Sequence, residues 1–153
     1  MERSKVNSNY EDWLKRHDET VQKAVELIKK YGFEPIIINE QGKPSFIRIF
    51  LGEKKIDFAI KEIKTKFAQK IWLCKKSVFN PENIYLVYAS EEDMWLVSTG
   101  RECDREGSYE ESDFQKDVKF VVISIDVLRP AKTFLKLIKE RYDNQLQKKI
   151  TEF

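Results

Sequence analysis

Several residue types that build common enzyme sites are scarce in this chain of 153 residues. It contains one histidine, two cysteines and five glycines. A single histidine excludes a metal site built from several histidines. Cys74 and Cys103 lack the short spacing of zinc ligands, so we expect two free thiols in a reducing compartment. Because there is no Walker loop, no Gly-x-Gly-x-x-Gly and no Gly-x-Ser-x-Gly, the usual phosphate cradles and the hydrolase nucleophile elbow are excluded.

Long hydrophobic runs are missing as well. No run approaches the roughly 18 apolar residues of a membrane span, and the polar residues 1–9 lack the apolar centre of a signal peptide. We therefore predict a cytoplasmic protein with no membrane partner. Charged residues make up 35% of the chain, but the net charge is only +2. Total charge thus does not predict nucleic-acid binding, and only the distribution of charge can do so.

Hydrophobic periodicity predicts a single α/β (α+β) domain over residues 1–153. The first helix is expected to begin at Ser8, which forms a capping box with Glu11, and to end before Gly32. A last helix follows Pro130. Between them we predict a mixed central sheet of about five to six strands, flanked by the N-terminal and C-terminal helices. Residues 1–9 are expected to be flexible, and the acid-rich residues 100–117 are expected to form a charged loop.

Between Ile56 and Lys64, an alternating apolar run is followed by two residues of opposite charge. On a strand, side chains two positions apart share a face, so Glu62 and Lys64 follow Ile56, Phe58 and Ile60 on one side. A carboxylate and an ammonium at the end of a buried stripe must pair, bind a metal or reach water. The pattern is typical of a surface ion pair, and it also suits a metal-binding carboxylate beside a phosphate-stabilising lysine.

Positive charge is concentrated on this strand and in the residues that follow it. Eight lysines lie between positions 54 and 76, against only Asp57 and Glu62, and Phe67 and Trp72 lie among them. A basic band with aromatic residues favours a polyanion such as nucleic acid, and a solvated lysine face is the alternative. The candidate nucleic-acid-binding residues are Lys66, Lys70, Trp72, Lys75 and Lys76. Lysines beside Cys74 would lower the pKa of its thiol, whereas packing in a strand would leave it inert.

The order of these segments resembles the PD-(D/E)xK, or restriction-endonuclease-like, nuclease superfamily. A helix and a three-strand meander lead to Glu62-Ile63-Lys64-Thr65 at the end of the third strand. A lysine-rich strand with Trp72, an Asn80-Pro81 turn and two hydrophobic strands follow. The resemblance covers roughly residues 10 to 100 and implies a restriction-endonuclease-like fold.

The resemblance also implies an Mg²⁺ or Mn²⁺ cofactor, with Glu62 as a metal ligand and Lys64 as the catalytic lysine. Ile63 would supply a backbone carbonyl. The family's second carboxylate is expected at Ser45, seventeen residues before Glu62, and a serine is a poor ligand for a hard cation. Asp57 and Glu19 are the alternative metal ligands, with Glu40 and Glu53 in nearby turns.

Three functions remain open at this point. The first is a metal-dependent endonuclease acting on DNA or RNA. The second is a catalytically inactive nuclease-like module that binds nucleic acid, and the third is a protein-interaction domain. Because the C-terminal helix is amphipathic, a homodimer is a candidate assembly. A second carboxylate close to Glu62 would favour the enzyme.

Overall fold

The part of the chain that the structure describes contains three α-helices, two single-turn 3-10 helices (Lys76–Val78 and Ile125–Val127) and nine strands. The computed structural model describes residues 2–113 and 115–151, with side chains for residues 11–113 and 117–147. The helices are α1 (Glu2–Lys30), α2 (Gly100–Glu106) and α3 (Ala131–Thr151). None of these helices combines the length and the apolar character needed to cross a membrane.

The strands form two separate sheets. In chain order they are β1 (Ile36–Ile38), β2 (Phe46–Leu51), β3 (Lys54–Ile63), β4 (Lys70–Lys75), β5 (Ile84–Ala89), β6 (Met94–Thr99), β7 (Ser108–Ser112), β8 (Gln115–Ser124) and β9 (Arg129–Pro130). The larger sheet has the order β1-β2-β3-β5-β6-β9, and the smaller has the order β4-β8-β7. Only β3 and β5 pair in parallel, so the larger sheet is mixed and the smaller is antiparallel. The predicted α+β class, with a six-stranded mixed sheet flanked by terminal helices, is confirmed.

The larger sheet has a different cover on each face. Helices α1 and α3 pack on one face through Val21, Ala24, Ile28 and Leu135, which meet Phe58 and other apolar strand residues. The small sheet covers part of the opposite face and forms a second apolar cluster there. Alternate residues of β3 therefore enter different cores, and the even-numbered ones face the helices.

Helix α1 is longer than the sequence predicts. It begins at Glu2 instead of Ser8, so residues 2–9, which we expected to be flexible, are helical. These residues contain neither glycine nor proline, so nothing in them interrupts a helix. The predicted C-terminal end is confirmed. Gly32 has φ of +90°, its N–H donates to Lys29, and the N–H of Phe33 donates to Ile28, as in a Schellman motif.

The predicted charged loop over residues 100–117 is wrong. Thr99 caps α2 by accepting a hydrogen bond from the N–H of Glu102 at 3.1 Å, and the Thr-x-x-Glu spacing is a helix-start signal. The acidic segment after Gly107 is β7, an edge strand of the small sheet with mostly solvent-facing side chains. Charged residues on an edge strand oppose pairing with another chain, which explains a strand with so polar a sequence.

Candidate nucleic-acid interface and the Glu62 site

Glu62 lies near the end of β3, on the face of the larger sheet that carries α1. The β3 register runs without a bulge from Lys54 to Ile63, so Glu62 follows Phe58 and Ile60 on the helix side, as predicted. In the parallel ladder its neighbour on β5 is Tyr88. The carboxylate is thus held at the edge of the helix–sheet core, with 26% of its side chain exposed.

Two side chains of α1 bind the Glu62 carboxylate. Arg16 Nη2 donates to Oε1 at 3.2 Å, and Thr20 Oγ1 donates to Oε2 at 2.8 Å. The same Thr20 hydroxyl lies 2.9 Å from the backbone oxygen of Arg16, so its one hydrogen is shared between two acceptors. Thr20 is only 4% exposed. The helix therefore satisfies the charge of Glu62 with a cation and a hydroxyl.

A shallow cleft of about 540 Å³ is lined by Lys23, Tyr88, Asp93 and Trp95, among other residues, and Tyr88 is the ladder neighbour of Glu62. The Lys23 ammonium is 4.8 Å from the centre of the Tyr88 ring, which is also tilted against Trp95 at 4.9 Å. The Tyr88 hydroxyl donates to Asp93. That bond, with burial and the negative charges of Asp93 and Glu62, raises the pKa of Tyr88 to about 12. Tyr88 is therefore a neutral hydrogen-bond donor at pH 7.

The chain that follows Glu62 is fixed to the turn between β5 and β6. The backbone oxygen of Ile63 accepts from the N–H of Ser90 at 3.0 Å, and that of Lys64 accepts from Glu91 at 2.9 Å. The Lys64 side chain is exposed. The carbonyl that the resemblance assigns to a metal is thus already engaged in a backbone hydrogen bond.

Glu92, in the turn between β5 and β6, anchors the next two residues of the chain after Lys64. Its carboxylate accepts from the Thr65 hydroxyl and, at 3.1 Å, from the N–H of Lys66. These hydrogen bonds, led by the one from Thr65, hold the pKa of Glu92 below its usual value. The threonine after the Glu-x-Lys motif therefore has a structural partner.

Ser45 is the residue at which the resemblance expects a second carboxylate. If the register of β2 with β3, which pairs Ile47 with Phe58, is continued by two residues, Ser45 stands opposite Ile60 on the face of Glu62. His17 Nε2 lies 2.9 Å from the backbone oxygen of Ser45, and the ring stacks on Trp13 at 5.2 Å. The lone histidine is therefore a packed residue at the core edge, as the apolar stripe of α1 predicts. The position expected for a second carboxylate carries a hydroxyl.

Asp57 lies on the opposite face of the sheet from Glu62. It is five residues away on an unbroken strand, and it faces Arg48 directly across the β2–β3 ladder. Arg48 Nε donates to Oδ1 at 2.7 Å and Nη2 donates to Oδ2 at 3.1 Å, a two-pronged ion pair. The hydrogen bond to Asp57 raises the pKa of Arg48. The structure does not bring Asp57 to Glu62 as a second carboxylate, because Asp57 lies on the other face of the sheet and pairs with Arg48.

The other candidate carboxylates do not complete a metal site either. Glu19 is exposed on α1 in a groove formed by its own helix, with Asp18 and Gln22, and Glu40 pairs with Lys43 at 3.5 Å. Among the side chains that the structure describes, those of residues 11–113 and 117–147, no three of His, Cys, Asp or Glu lie close enough to hold a metal ion. The residues present do not fit Mg²⁺ or Mn²⁺, since Glu62 is a single carboxylate already bound to a cation.

The small sheet gathers three of the predicted nucleic-acid-binding residues. In its ladder Lys70 faces Ser124, Trp72 faces Val122 and Lys75 faces Phe120, with a bulge between Trp72 and Cys74. Directly paired residues of an antiparallel ladder share a face, and residues 120, 122 and 124 of β8 alternate with Val121 and Ile123, which belong to the second apolar cluster. Val122 lies outside that cluster, although it is itself only 3% exposed. Lys70, Trp72 and Lys75 therefore lie together on the outward face of the small sheet, although their spacing is uneven. We call this the outer face.

Two further contacts describe the outer face. Trp72 is 38% exposed, and its ring meets Phe120 at 5.7 Å with the planes at 73°. Lys70 Nζ lies 3.2 Å from Glu110 Oε1 on β7, and both side chains retain solvent contact. Such a surface ion pair contributes about 0–1 kcal/mol. The outer face thus combines an accessible indole, two lysines and one acidic residue.

Lys66 and Lys76 lie outside this arrangement. Lys66 precedes β4, and its ammonium is 5.1 Å from the ring of the exposed Phe67. Lys76 follows β4 and lies 4.5 Å from the ring of Tyr109, a residue that β7 pairs with the inward-facing Val121. The two lysines belong to neighbouring surfaces.

Cys74 faces inward between the two sheets. Its strand partner is the buried Val121, and burial raises the pKa of its thiol to about 11. The adjacent lysines of β4 do not lower the pKa, since Lys75 points to the outer face. Burial likewise raises the pKa of Cys103. Both thiols are therefore less acidic than a free cysteine, which lowers the fraction present as thiolate.

Arg16 and Thr20 are the important site residues that sequence reasoning missed. Thr20 interrupts the apolar stripe of α1 between His17 and Ala24, and a polar residue at a core-facing position needs a partner. That signal was available in the sequence. Nothing in the sequence pointed to Arg16, whose side chain is 72% exposed and whose partner is 46 residues away.

A scan against protein-family models finds no family that matches this chain, and a search of the curated proteins finds no relative. Function must therefore be argued from the Glu62 site and the outer face.

Proposed function

We propose that this protein is a nuclease-like domain that binds nucleic acid without cleaving it. The observation that carries the proposal is the outer face, where the β4 bulge brings Lys70, Trp72 and Lys75 to one exposed surface. Lysines neutralise phosphates, and an accessible aromatic ring provides a stacking surface. A polyanion that contains aromatic bases matches both groups.

The order of elements supports a restriction-endonuclease-like arrangement. Helix α1 leads into the antiparallel meander β1-β2-β3, and the Glu-x-Lys strand β3 pairs in parallel with β5. The strand β4 departs from the expected order, since it belongs to the small sheet. We infer a nuclease-like core to which a small antiparallel sheet adds a separate binding surface.

The contacts of Glu62 favour binding over cleavage. Metal-assisted hydrolysis needs carboxylates that are free to coordinate a cation. Here the Arg16 guanidinium supplies the positive charge and Thr20 supplies a hydrogen bond. Glu62 therefore fixes α1 to the end of β3 and serves as a structural residue.

A binding assay with charge-reversal variants tests the proposal. Fluorescence anisotropy with labelled DNA and RNA, in excess EDTA, should give binding that weakens linearly with log salt. Lys70→Glu with Lys75→Glu should lower the magnitude of that slope by about 1.4–1.8, since each lost phosphate contact removes about 0.7–0.9. Lys54→Glu with Lys55→Glu makes the same change in net charge on β3 and should leave the slope nearly unchanged. Equal loss of binding in both pairs would assign the effect to total charge and contradict the outer face.

A substitution that removes a negative charge from the outer face provides a second binding test. Glu110→Gln removes the acidic neighbour of Lys70 without changing side-chain size, so it should raise affinity at low salt. Reduced affinity in this variant would contradict a polyanion on the outer face.

A cleavage assay tests the non-catalytic part. Plasmid, linear DNA, branched DNA and RNA are each incubated with Mg²⁺ or Mn²⁺ and one of three proteins: the unmodified protein, Glu62→Ala or Lys64→Ala. No substrate should be cut by any of the three. Metal-dependent cleavage that both variants lose would replace the proposal with a live endonuclease. If no nucleic acid binds and none is cut, a protein-interaction role is the remaining reading.

A further inference from the structure

We infer that the outer face binds single-stranded nucleic acid, with an unpaired base stacked on Trp72. The inference rests on the proposed function and names its substrate class. It follows from where Trp72 lies among the charges of the outer face and from what the ring can reach.

The two lysines of the outer face lie on either side of Trp72 along β4. Lys70 is two residues before Trp72 and Lys75 is three residues after it, with the bulge in between. At about 3.4 Å per residue, the backbone positions of Lys70 and Lys75 lie roughly 7 and 10 Å from that of Trp72. Two positive charges with an aromatic ring between them match a strand whose phosphates lie on both sides of one base.

The Trp72 ring is held in place from within the sheet. Phe120 lies against it at an angle of 73°, and Val122, its direct partner on β8, is almost fully buried. A ring that is ordered before binding loses little conformational entropy when a base stacks on it. With 38% of its surface exposed, Trp72 still offers area for that contact.

A duplex does not offer the group that Trp72 would contact. Its bases are stacked on one another, so a side chain on a sheet meets phosphates, sugars and groove edges. An unpaired strand exposes base faces, and stacking on an aromatic side chain contributes to affinity for every base type. The lysines alone would bind the phosphates of a duplex or of a single strand. The indole is therefore the feature that favours the single strand.

Matched oligonucleotides test the inference. Twelve-residue single strands of DNA and of RNA, and the DNA duplex of the same sequence, are titrated in EDTA at fixed salt. We expect at least tenfold tighter binding of the single strands and quenching of tryptophan fluorescence. The DNA and RNA arms show whether both backbones are accepted.

Substitutions at the indole complete the design. Trp72→Ala should weaken single-strand binding about 5- to 150-fold, and Trp72→Phe should retain most of the affinity while losing the quenching signal. Trp13→Ala changes an exposed tryptophan of α1, whose partner is His17, and should bind as the unmodified protein does. Trp72→Phe also provides a result if the alanine variant fails to fold.

The outcomes separate this inference from the proposed function. Equal affinity for duplex and single strand, or full affinity in Trp72→Ala, would overturn the single-strand inference. If binding in that case still falls in the Lys70→Glu, Lys75→Glu protein, nucleic-acid binding by the outer face stands. If the unmodified protein binds neither form, the proposed function and the inference are both wrong.

Discussion

The Arg48–Asp57 pair offers the most direct test of which carboxylates are structural. The two residues face each other across β2 and β3 with two hydrogen bonds of 2.7 and 3.1 Å. Their side chains are 22% and 18% exposed, so the pair is neither a surface pair nor a fully buried one. Replacing Asp57 by alanine leaves a guanidinium in a partly desolvated position without its counter-ion.

The expected magnitude lies between two limits. Exposed ion pairs contribute about 0.2–1 kcal/mol, and removing one partner of a buried pair costs about 3–5 kcal/mol. For this intermediate burial and two-pronged geometry, we expect Asp57→Ala to lower the free energy of unfolding by about 2 kcal/mol. In a protein of this length that corresponds to a fall in Tm of roughly 4–8 °C.

A double-mutant cycle isolates the pair energy. Urea unfolding is measured for the unmodified protein, Asp57→Ala, Arg48→Met and the double variant, and the coupling energy should be about 1.5–3 kcal/mol. Glu53→Ala, in the exposed turn before β3, is the control for loss of an acidic residue and should change stability by less than about 0.5 kcal/mol.

Two results would refute this account of Asp57. A coupling energy below about 0.5 kcal/mol would mean that the ion pair is too weak to fix the carboxylate. A rise in Tm with Mg²⁺ that disappears in Asp57→Ala would identify Asp57 as a metal ligand, because a ligand stabilises the state that binds it.

Two further predictions concern packing and thiol chemistry. A Cβ atom at Gly100 would lie 2.6 Å from the backbone oxygen of Pro81, so Gly100→Ala should destabilise the protein by about 1–3 kcal/mol in urea unfolding; unchanged stability would mean that this close approach relaxes freely. With its pKa raised to about 11, the Cys74 thiol should react with iodoacetamide at pH 8 at least about tenfold more slowly than in urea-unfolded protein, because less of it is thiolate. Equal rates in the folded and unfolded protein, followed by mass spectrometry, would contradict a Cys74 thiol that partial burial keeps protonated.

Local periodicity predicted most of the elements of the fold. The alternation of Ile56, Phe58 and Ile60 predicted β3 and the face on which Glu62 lies, because side-chain direction on a strand depends only on residue parity. Gly32 marked the end of α1, since its positive φ favours glycine. These features depend on neighbouring residues, so the sequence was sufficient for them.

Elements without an apolar pattern were harder to predict. The acidic strand β7 was expected to be part of a loop because its sequence is polar and acid-rich, and it is a strand only because β8 pairs with it. The Thr99-x-x-Glu102 capping signal for α2 was present in the sequence but was not recognised. The start of α1 was placed too late because no apolar stripe marks residues 2–7.

The sequence by itself determined the class of the fold, the face that carries Glu62 and the place where lysines concentrate. Only the tertiary structure decided the partners of those charges. Glu62 meets Arg16 and Thr20 because α1 crosses the end of β3, more than 40 residues away in the chain. A bulge, which no local pattern announces, brings Lys75 to the face of Lys70 and Trp72. Side-chain chemistry is local, but its partners are set by pairings between distant segments.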